Sequence, residues 1–153
     1  LAPVPPDLAE YEGLVLAGLG RHAQAADAFV DAIESSDRPA LRLALARAYS
    51  EAGQFGDARS QAERVIASED PRLAREARYL LAANLLDADE VEAATQLYQE
   101  IVELDESQAD AWYALGEISL AQGDRAQARA FWRRALSQDP GHSPSLARLG
   151  NSG

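Results

Sequence analysis

The chain has 153 residues, 47% of them hydrophobic, which is enough for one domain with an apolar core and too many for a disordered chain. Its 25 acidic and 14 basic residues give a net charge of −11, which predicts repulsion from nucleic acids and anionic membrane surfaces. Cysteine is absent, which excludes disulfides, thiolate metal sites and a cysteine nucleophile. No apolar run approaches the roughly 20 residues that a membrane-spanning helix needs.

Five sequence columns recur at a regular spacing and divide the chain into four repeats. The members of the first column are small residues, 33, 36 and 34 residues apart (13 to 46, 46 to 82 and 82 to 116). The other columns hold an alanine, a residue that is bulky in three repeats, an apolar anchor and a turn residue. In that order, the columns are Gly13, Ala46, Ala82 and Gly116; Ala25, Ala58, Ala94 and Ala128; Phe29, Ala62, Tyr98 and Trp132; Ala32, Val65, Ile101 and Ala135; and Gly20, Gly53, Asp89 and Gly123. Repeats of this length indicate stacked helix pairs, because one pair cannot bury its apolar face alone.

We predict two helices in each repeat, joined at the turn residue. In the fourth repeat, Trp112, Leu115 and Ile118 recur at helical spacing, and no segment of the chain alternates as a β-strand does. The predicted N-cap residues are Asp89, Ser107 and Asp124. The predicted segments are a proline-rich linker at 1–5, repeats at 6–38, 39–74, 75–108 and 109–142, and a short helix within 143–153.

The last segment is predicted to be a fifth first helix that stops early. Ser143 is the predicted N-cap and Pro144 the first helical residue. Leu149 follows the register of Leu115, so we expect Leu146 and Leu149 to pack against the second helix of the fourth repeat.

The ends of the sequence and its composition indicate its origin. The chain has no methionine, so we expect that its native start is missing and that it is a piece of a larger protein. Arginine supplies every basic residue and alanine is abundant, a bias of GC-rich bacterial genomes. We therefore expect a bacterial protein of the cytoplasm or the periplasm.

The repeat resembles the tetratricopeptide repeat (TPR). The fourth repeat matches that pattern best, at Trp112, Leu115, Gly116, Ala128, Trp132, Ala135 and Pro140. The second departs from it at Arg42 and Ala62, and the third at Arg78 and Glu106. The resemblance implies an all-α fold, a right-handed superhelical α-solenoid of four helix-turn-helix repeats plus the short C-terminal helix. Trp112 and Trp132 are then expected in the core.

The resemblance also implies a binding surface, because in TPR proteins the first helices of successive repeats line a concave groove for a partner segment. The implied groove residues are Glu10, Leu14, Leu43, Arg47, Ser50, Glu76, Tyr79, Ala83, Leu86, Asp110, Tyr113, Glu117 and Leu120. The lysines and asparagines with which some family members clamp a C-terminal carboxylate are absent from these positions. Tyr79 to Asp124 has eleven acidic residues and no arginine, so we expect a basic and apolar partner.

No pattern in the sequence predicts catalysis, a cofactor or a metal. Gly18 to Ala23 fits G-x-G-x-x-A, but it follows a predicted helix, whereas a dinucleotide site needs a preceding strand. His22 and His142 have no second histidine at helical spacing. Arg125, Arg129 and Arg133 form a stripe on one helix, interpreted as a solvated face that pairs with the abundant acids rather than as an anion-binding ridge.

The leading hypothesis is therefore a non-enzymatic scaffold that binds a protein or peptide. An alternative is a module that forms homo-oligomers by stacking its ends. A third is an RNA-binding helical-repeat array, which the acidic charge disfavours. A fourth is an all-helical enzyme, for which no residue constellation is evident. We expect no nucleic-acid partner and no insertion into a membrane.

Overall fold

The computed structural model describes the backbone of residues 6–150 and the side chains from Leu8 onwards. The linker predicted at 1–5 and residues 151–153 of the last segment lie outside the described residues. Residues 6–150 contain nine α-helices and no β-strand, as expected. The helices are α1 Pro6–Gly18, α2 His22–Ser35, α3 Pro39–Glu51, α4 Phe55–Ile66, α5 Pro71–Asp87, α6 Val91–Leu104, α7 Ala109–Ala121, α8 Arg125–Gln138 and α9 Ser143–Gly150. They form an N-terminal unit (residues 6–84) and a C-terminal unit (residues 85–150).

The turn inside each helix pair uses the left-handed backbone region. Gly20, Gly53 and Gly123 have φ angles of 74°, 77° and 85°, and Asp89 has a φ of 62° at the same register. Glycine adopts this region without steric cost, and aspartate tolerates it better than most residues. In the first turn, the Arg21 amide donates to the Leu16 carbonyl at 2.9 Å, a bond that closes a helix C-terminus.

The two helices of a pair approach closely where the small column faces the bulky column. A Cβ atom built on Gly13 would lie 2.6 Å from the Phe29 ring. A Cβ atom on Gly116 would lie 2.5 Å from Cδ1 of Trp132. Such distances are too short for any side chain, so each glycine makes room for the ring opposite.

Alanine and leucine fill the core of the N-terminal unit around this contact. The buried cluster consists of Ala9, Ala25, Ala26, Phe29, Ala32, Leu41, Leu45 and Ala48. The cluster joins α1, α2 and α3, so α2 packs against its own first helix and against the next one. One helix pair is thus insufficient, as the repeat pattern implied.

The prediction that both tryptophans belong to the core holds fully for Trp132 only. Trp132 is 3% exposed, and its indole nitrogen has no acceptor among the described residues. Trp112 is half-buried, stacks on Phe131 at 6.0 Å between centroids, and donates to the Glu106 carbonyl at 2.8 Å.

The second repeat replaces this aromatic pair with a polar pair. Arg42 and Gln61 hold the register positions of Trp112 and Phe131, and the Arg42 Nη1 donates to Gln61 at 2.8 Å. Arg42 also donates two hydrogen bonds to Asp37, which lower the pKa of that carboxyl. The departure from the TPR pattern at Arg42 is thus accompanied by hydrogen bonds that satisfy its guanidinium.

Of the three helix caps predicted within the repeats, two are wrong. Asp124 accepts from the Gln127 amide at 2.9 Å, as expected. Asp89 instead lies in the turn, and Glu90 precedes α6 without a side-chain cap. Gln108 takes the N-cap position predicted for Ser107. Residue preferences locate the start of a helix only to within one or two residues. The conformation of the turn decides which residue takes the N-cap position.

The predicted last helix is present as α9, which packs on α8. His142, rather than Ser143, occupies its capping position, because the Ser145 amide points to His142 Nδ1 at 3.4 Å and the Leu146 amide donates to the His142 carbonyl. Leu146 is 48% exposed, against the expectation that it would pack on α8, and Ser145 is fully buried instead.

Because Gly13 lies so close to the Phe29 ring, we predict that one methyl group added at Gly13 destabilises the fold. Gly13→Ala should lower the free energy of unfolding by ~1–3 kcal/mol, because the ring must move out of a packed core. The control is Gly56→Ala in α4, where a Cβ meets nothing within 4 Å. This variant should raise the free energy of unfolding by about 0.4–1 kcal/mol, because alanine lowers the conformational entropy of the unfolded chain. Urea unfolding followed by circular dichroism measures both, and equal effects would contradict the packing.

Trp132 is predicted to be a principal core residue of the C-terminal unit. Trp132→Ala should destabilise by ~3–5 kcal/mol, as large-to-small core changes do. Trp132→Phe should cost less, because phenylalanine fills the same register at Phe29 and lacks the buried N–H group. Chemical unfolding tests both variants, and a loss below ~1 kcal/mol for the alanine variant would place the ring outside the core.

Candidate partner-binding surface

Ion pairs join neighbouring first helices of the N-terminal unit at predicted groove positions. Arg38, directly before α3, donates to Glu10 on α1 at 2.5 Å. Arg47 on α3 donates to Glu76 on α5 at 2.9 Å. These contacts hold the first helices of this unit side by side, so the surface that they form exists before any partner arrives.

The predicted groove residues of the N-terminal unit differ in accessibility. Leu14 is 55% exposed and Tyr79 is half-buried, so a partner can reach part of each side chain. Leu43 is only 4% exposed, so it supports the surface from below and cannot contact a partner directly. Ser50 donates to the Asn84 side chain at 2.7 Å, which adds a polar tie that the sequence did not reveal.

In the C-terminal unit, three predicted groove residues contact the region of α9. The Asp110 carboxylate lies 2.8 Å from His142 Nε2, and the Tyr113 ring lies 5.6 Å from the His142 ring. Arg148 donates to both oxygens of Glu117, with 2.9 Å between Nε and Oε1. These contacts also raise the pKa of Arg148, chiefly through the Glu117 hydrogen bond. The helix α9 is therefore fixed against the surface residues of α7.

The other predicted residues of this unit are half-buried. Leu86 and Leu120 are each partly accessible, and so is Tyr113. These side chains can offer apolar contact area without any rearrangement of the helices.

Sequence reasoning missed the residues that join the first helices. Arg38 and His142 share one register, since each lies eight residues before the small-column position of its repeat (38 to 46 and 142 to 150). Both contact an acid on the preceding first helix, Glu10 or Asp110. The other residues at this register, Ala74 and Gln108, share no property with Arg38 or His142, so the repeat pattern gave no signal for a structural role of His142.

The arrangement of Asp110, His142 and Ser145 has the residue types of a hydrolytic triad. The Ser145 hydroxyl lies 2.8 Å from His142 Nδ1, and the carboxylate lies at Nε2. In serine hydrolases the arrangement is reversed, because Nε2 contacts the serine hydroxyl and Nδ1 contacts the aspartate. Ser145 is also fully buried, so no substrate can reach its hydroxyl. Each ring nitrogen of His142 lies within hydrogen-bond distance of one of the other two side chains, which makes the three residues a structural connection.

The predicted acidic groove is largely neutralised by arginine. Glu76 accepts from both Arg47 and Arg72, each at 2.9 Å, and Glu117 is bound by Arg148. The Asp110 side chain remains 82% exposed beside His142. Attraction of a basic partner at these helices therefore depends on fewer free charges than the sequence count suggests.

The arginine stripe on α8 does not pair as expected. Only the neighbouring Arg134 forms an ion pair, with Glu106 at 3.0 Å. Among residues 8–150, no acid lies within ion-pair distance of Arg125, Arg129 or Arg133. The prediction that the stripe pairs with acids is therefore wrong, whereas Arg125 and Arg133 are exposed, as a solvated face requires.

Neither a cluster of metal-binding side chains nor a membrane-spanning helix occurs in the described part of the chain. No group of three or more histidine, aspartate or glutamate side chains there could hold a metal ion. No helix between Pro6 and Gly150 is both long enough and apolar enough to cross a membrane.

The chain consists of helix-turn-helix pairs that stack on one another, and glycines on two first helices make room for a ring on the second helix. This architecture places the chain in the class of helical repeat proteins. Two sequence models, each described as tetratricopeptide repeat, match residues 43–109 and 85–151. The chain belongs to the tetratricopeptide repeat family, and the predicted all-α solenoid class is confirmed.

Known proteins resemble this chain over different lengths. "Cellulose synthase operon protein C" of Komagataeibacter xylinus is 34% identical over 85 residues, which are 53% of this chain and 6% of that protein. The chain spans less than a tenth of the length of the curated relatives it matches. The structure of the MamA protein superimposes with a TM-score of 0.75 at 22% identity, covering 95% of this chain and 79% of that one. The structure of YrrB, "a TPR protein with an unusual peptide-binding site", superimposes with a TM-score of 0.73 at 22% sequence identity. The match covers 90% of this chain and 71% of YrrB. The two structural likenesses establish the fold.

The link between α7 and α9 predicts a coupled effect of His142 and Ser145. His142→Ala should lower stability by ~1–3 kcal/mol, because the buried Ser145 hydroxyl loses its partner. Adding Ser145→Ala should recover part of that loss, since removal of both partners leaves no unpaired group. Tryptophan fluorescence in urea reports on this unit, which contains both tryptophans. The control is Arg133→Ala, which should have no measurable effect, and an uncoupled pair would contradict the link.

Proposed function

We propose that this chain is a non-enzymatic scaffold that binds an apolar and basic segment of a partner protein along its first helices. The observation that supports this most directly is the row of polar ties between first helices, Glu10 with Arg38 and Arg47 with Glu76, beside the exposed Leu14. A surface held in place before binding costs little conformational entropy when a partner docks.

The chemistry of the partner follows from the side chains left accessible. Leu14 and Tyr79 in the N-terminal unit, and Tyr113 and Leu120 in the C-terminal unit, offer apolar contact, which favours a partner with apolar side chains. The net charge of −11 favours a partner with basic residues between them. YrrB, described as "a TPR protein with an unusual peptide-binding site", has a similar fold, which supports this class of function. The match to a bacterial protein supports a bacterial origin.

The proposal predicts selective binding of a designed peptide. Two fluorescent peptides share one set of leucines, and one has arginine where the other has glutamate. The arginine peptide should bind and the glutamate peptide should not, and added salt should weaken the binding because exposed charges are screened. Fluorescence anisotropy at low and high salt measures this.

Point variants then separate groove binding from non-specific attraction. Leu14→Ser and Leu120→Ser, tested one at a time, should weaken the arginine peptide about tenfold, the equivalent of roughly 1.4 kcal/mol. The matched control is Leu104→Ser on the second helix α6, which removes a leucine that is 71% exposed and should change nothing. Equal effects of all three variants, or binding of neither peptide, would overturn the proposal.

A further inference from the structure

The arginine stripe on α8, formed by Arg125, Arg129 and Arg133, reverses the acidic charge of the protein locally. Residues 125–153 contain five of the 14 basic residues of the chain and one of its 25 acids. The guanidinium groups of the stripe make no ion pair or hydrogen bond with residues 8–150. Arg125 and Arg133 are exposed and Arg129 is half-buried, so a ligand can reach part of each side chain.

The accessibility of the stripe follows from its register in the repeat. Arg133 corresponds to Glu63 on α4 and Gln99 on α6, and both of these residues are exposed although another repeat follows each of them. Arg129 corresponds to Arg59 on α4, which is exposed as well. Residues at these two positions therefore remain accessible when a further repeat is present.

The stripe is electrostatically unfavourable in the protein alone. Arg125 is the first residue of α8, where the helix dipole disfavours a cation. Arg129 and Arg133 follow at intervals of four residues, and like charges at this spacing on a helix repel each other. No acid among the described residues offsets them. Natural sequences break such local rules chiefly at functional sites, which indicates that the stripe binds an anionic ligand.

The surroundings of the stripe favour an acidic peptide segment over a nucleic acid. Asp124 caps the N-terminus of α8 and Asp139 lies at its C-terminus. A nucleic acid whose phosphates continue past the stripe meets a carboxylate at each end, whereas a peptide can confine its acids to the stripe. Ala126 and Ala130, each three residues before an arginine of the stripe, are small and exposed, so a second helix can lie close to α8 there.

We propose that the arginine stripe is a docking site for an acidic helical segment of a partner protein, with glutamate or aspartate at positions i, i+4 and i+8. Residues at this spacing recur about every 6 Å along one side of a helix, which matches the three arginines. Each carboxylate can accept two parallel hydrogen bonds from one guanidinium. The site is distinct from the first-helix groove, because it lies on a second helix and selects a partner of opposite charge.

Three short fluorescent peptides with an alanine-rich helical background test the site. The spaced peptide has three glutamates four residues apart, the neutral peptide has glutamine at the same positions, and the adjacent peptide has its three glutamates side by side. In anisotropy titrations of the full chain, the spaced peptide should bind and the neutral peptide should not. The adjacent peptide should bind at least threefold more weakly than the spaced one, because its carboxylates do not lie on one side of the helix.

Variants of the chain locate the binding on α8. Arg129→Gln should weaken the spaced peptide at least fivefold. Ala130→Gln should also weaken it, without a change of charge, because the longer side chain keeps the peptide away from α8. The matched control is Arg64→Gln, which removes an exposed arginine from the second helix α4 and should change nothing. Circular dichroism checks that each variant is folded, which the accessibility of the replaced side chains favours.

Any of four results would contradict the proposal. The spaced peptide might show no binding up to millimolar concentration, or Arg129→Gln and Arg64→Gln could weaken it equally, as non-specific attraction would. A single-stranded RNA that binds more tightly than the spaced peptide, and is weakened by Arg129→Gln, would make nucleic acid the ligand. A doubled mass of the chain alone in sedimentation velocity that Arg129→Gln reverses would make a second copy the occupant. The stripe variants should leave the affinity of the leucine and arginine peptide for the groove unchanged, so failure here leaves the proposed function standing.

Discussion

The contact between a small residue on the first helix and a ring on the second is the constraint on which the rest of the structure depends. Gly13 faces Phe29 and Gly116 faces Trp132, and a Cβ atom at either glycine would collide with the ring opposite. This closeness leaves the remaining apolar surface of each second helix for the next repeat. Stacking follows, because that surface would otherwise be in water.

Polar contacts then fix the neighbouring first helices within each unit. Arg38 with Glu10 and His142 with Asp110 come from one register and connect the start of a first helix to the helix before it. Exposed ion pairs contribute little to stability, typically below about 1 kcal/mol. Their contribution here is positional, because they set where accessible leucines and tyrosines lie relative to one another.

The same packing rule separates two kinds of surface on α1. Leu14 belongs to the proposed groove, and Val15 lies at the register of Ala48, which is buried in the next repeat. On α8, the positions that pack in α2 are Arg129 and Arg133, without acidic partners among the described residues. One sequence register therefore holds apolar packing residues in one repeat and solvated arginines in another.

The sequence alone determined the helix pairs, their turns and the columns of small and bulky residues, because these depend on spacing and on residue size. It also determined the family. Only the tertiary structure decided that Leu43 is buried, that Glu76 and Glu117 are bound by arginines, and that His142 joins α7 to α9. The physical reason is that burial and charge pairing depend on residues some 30 positions apart, whose side-chain reach no local periodicity specifies.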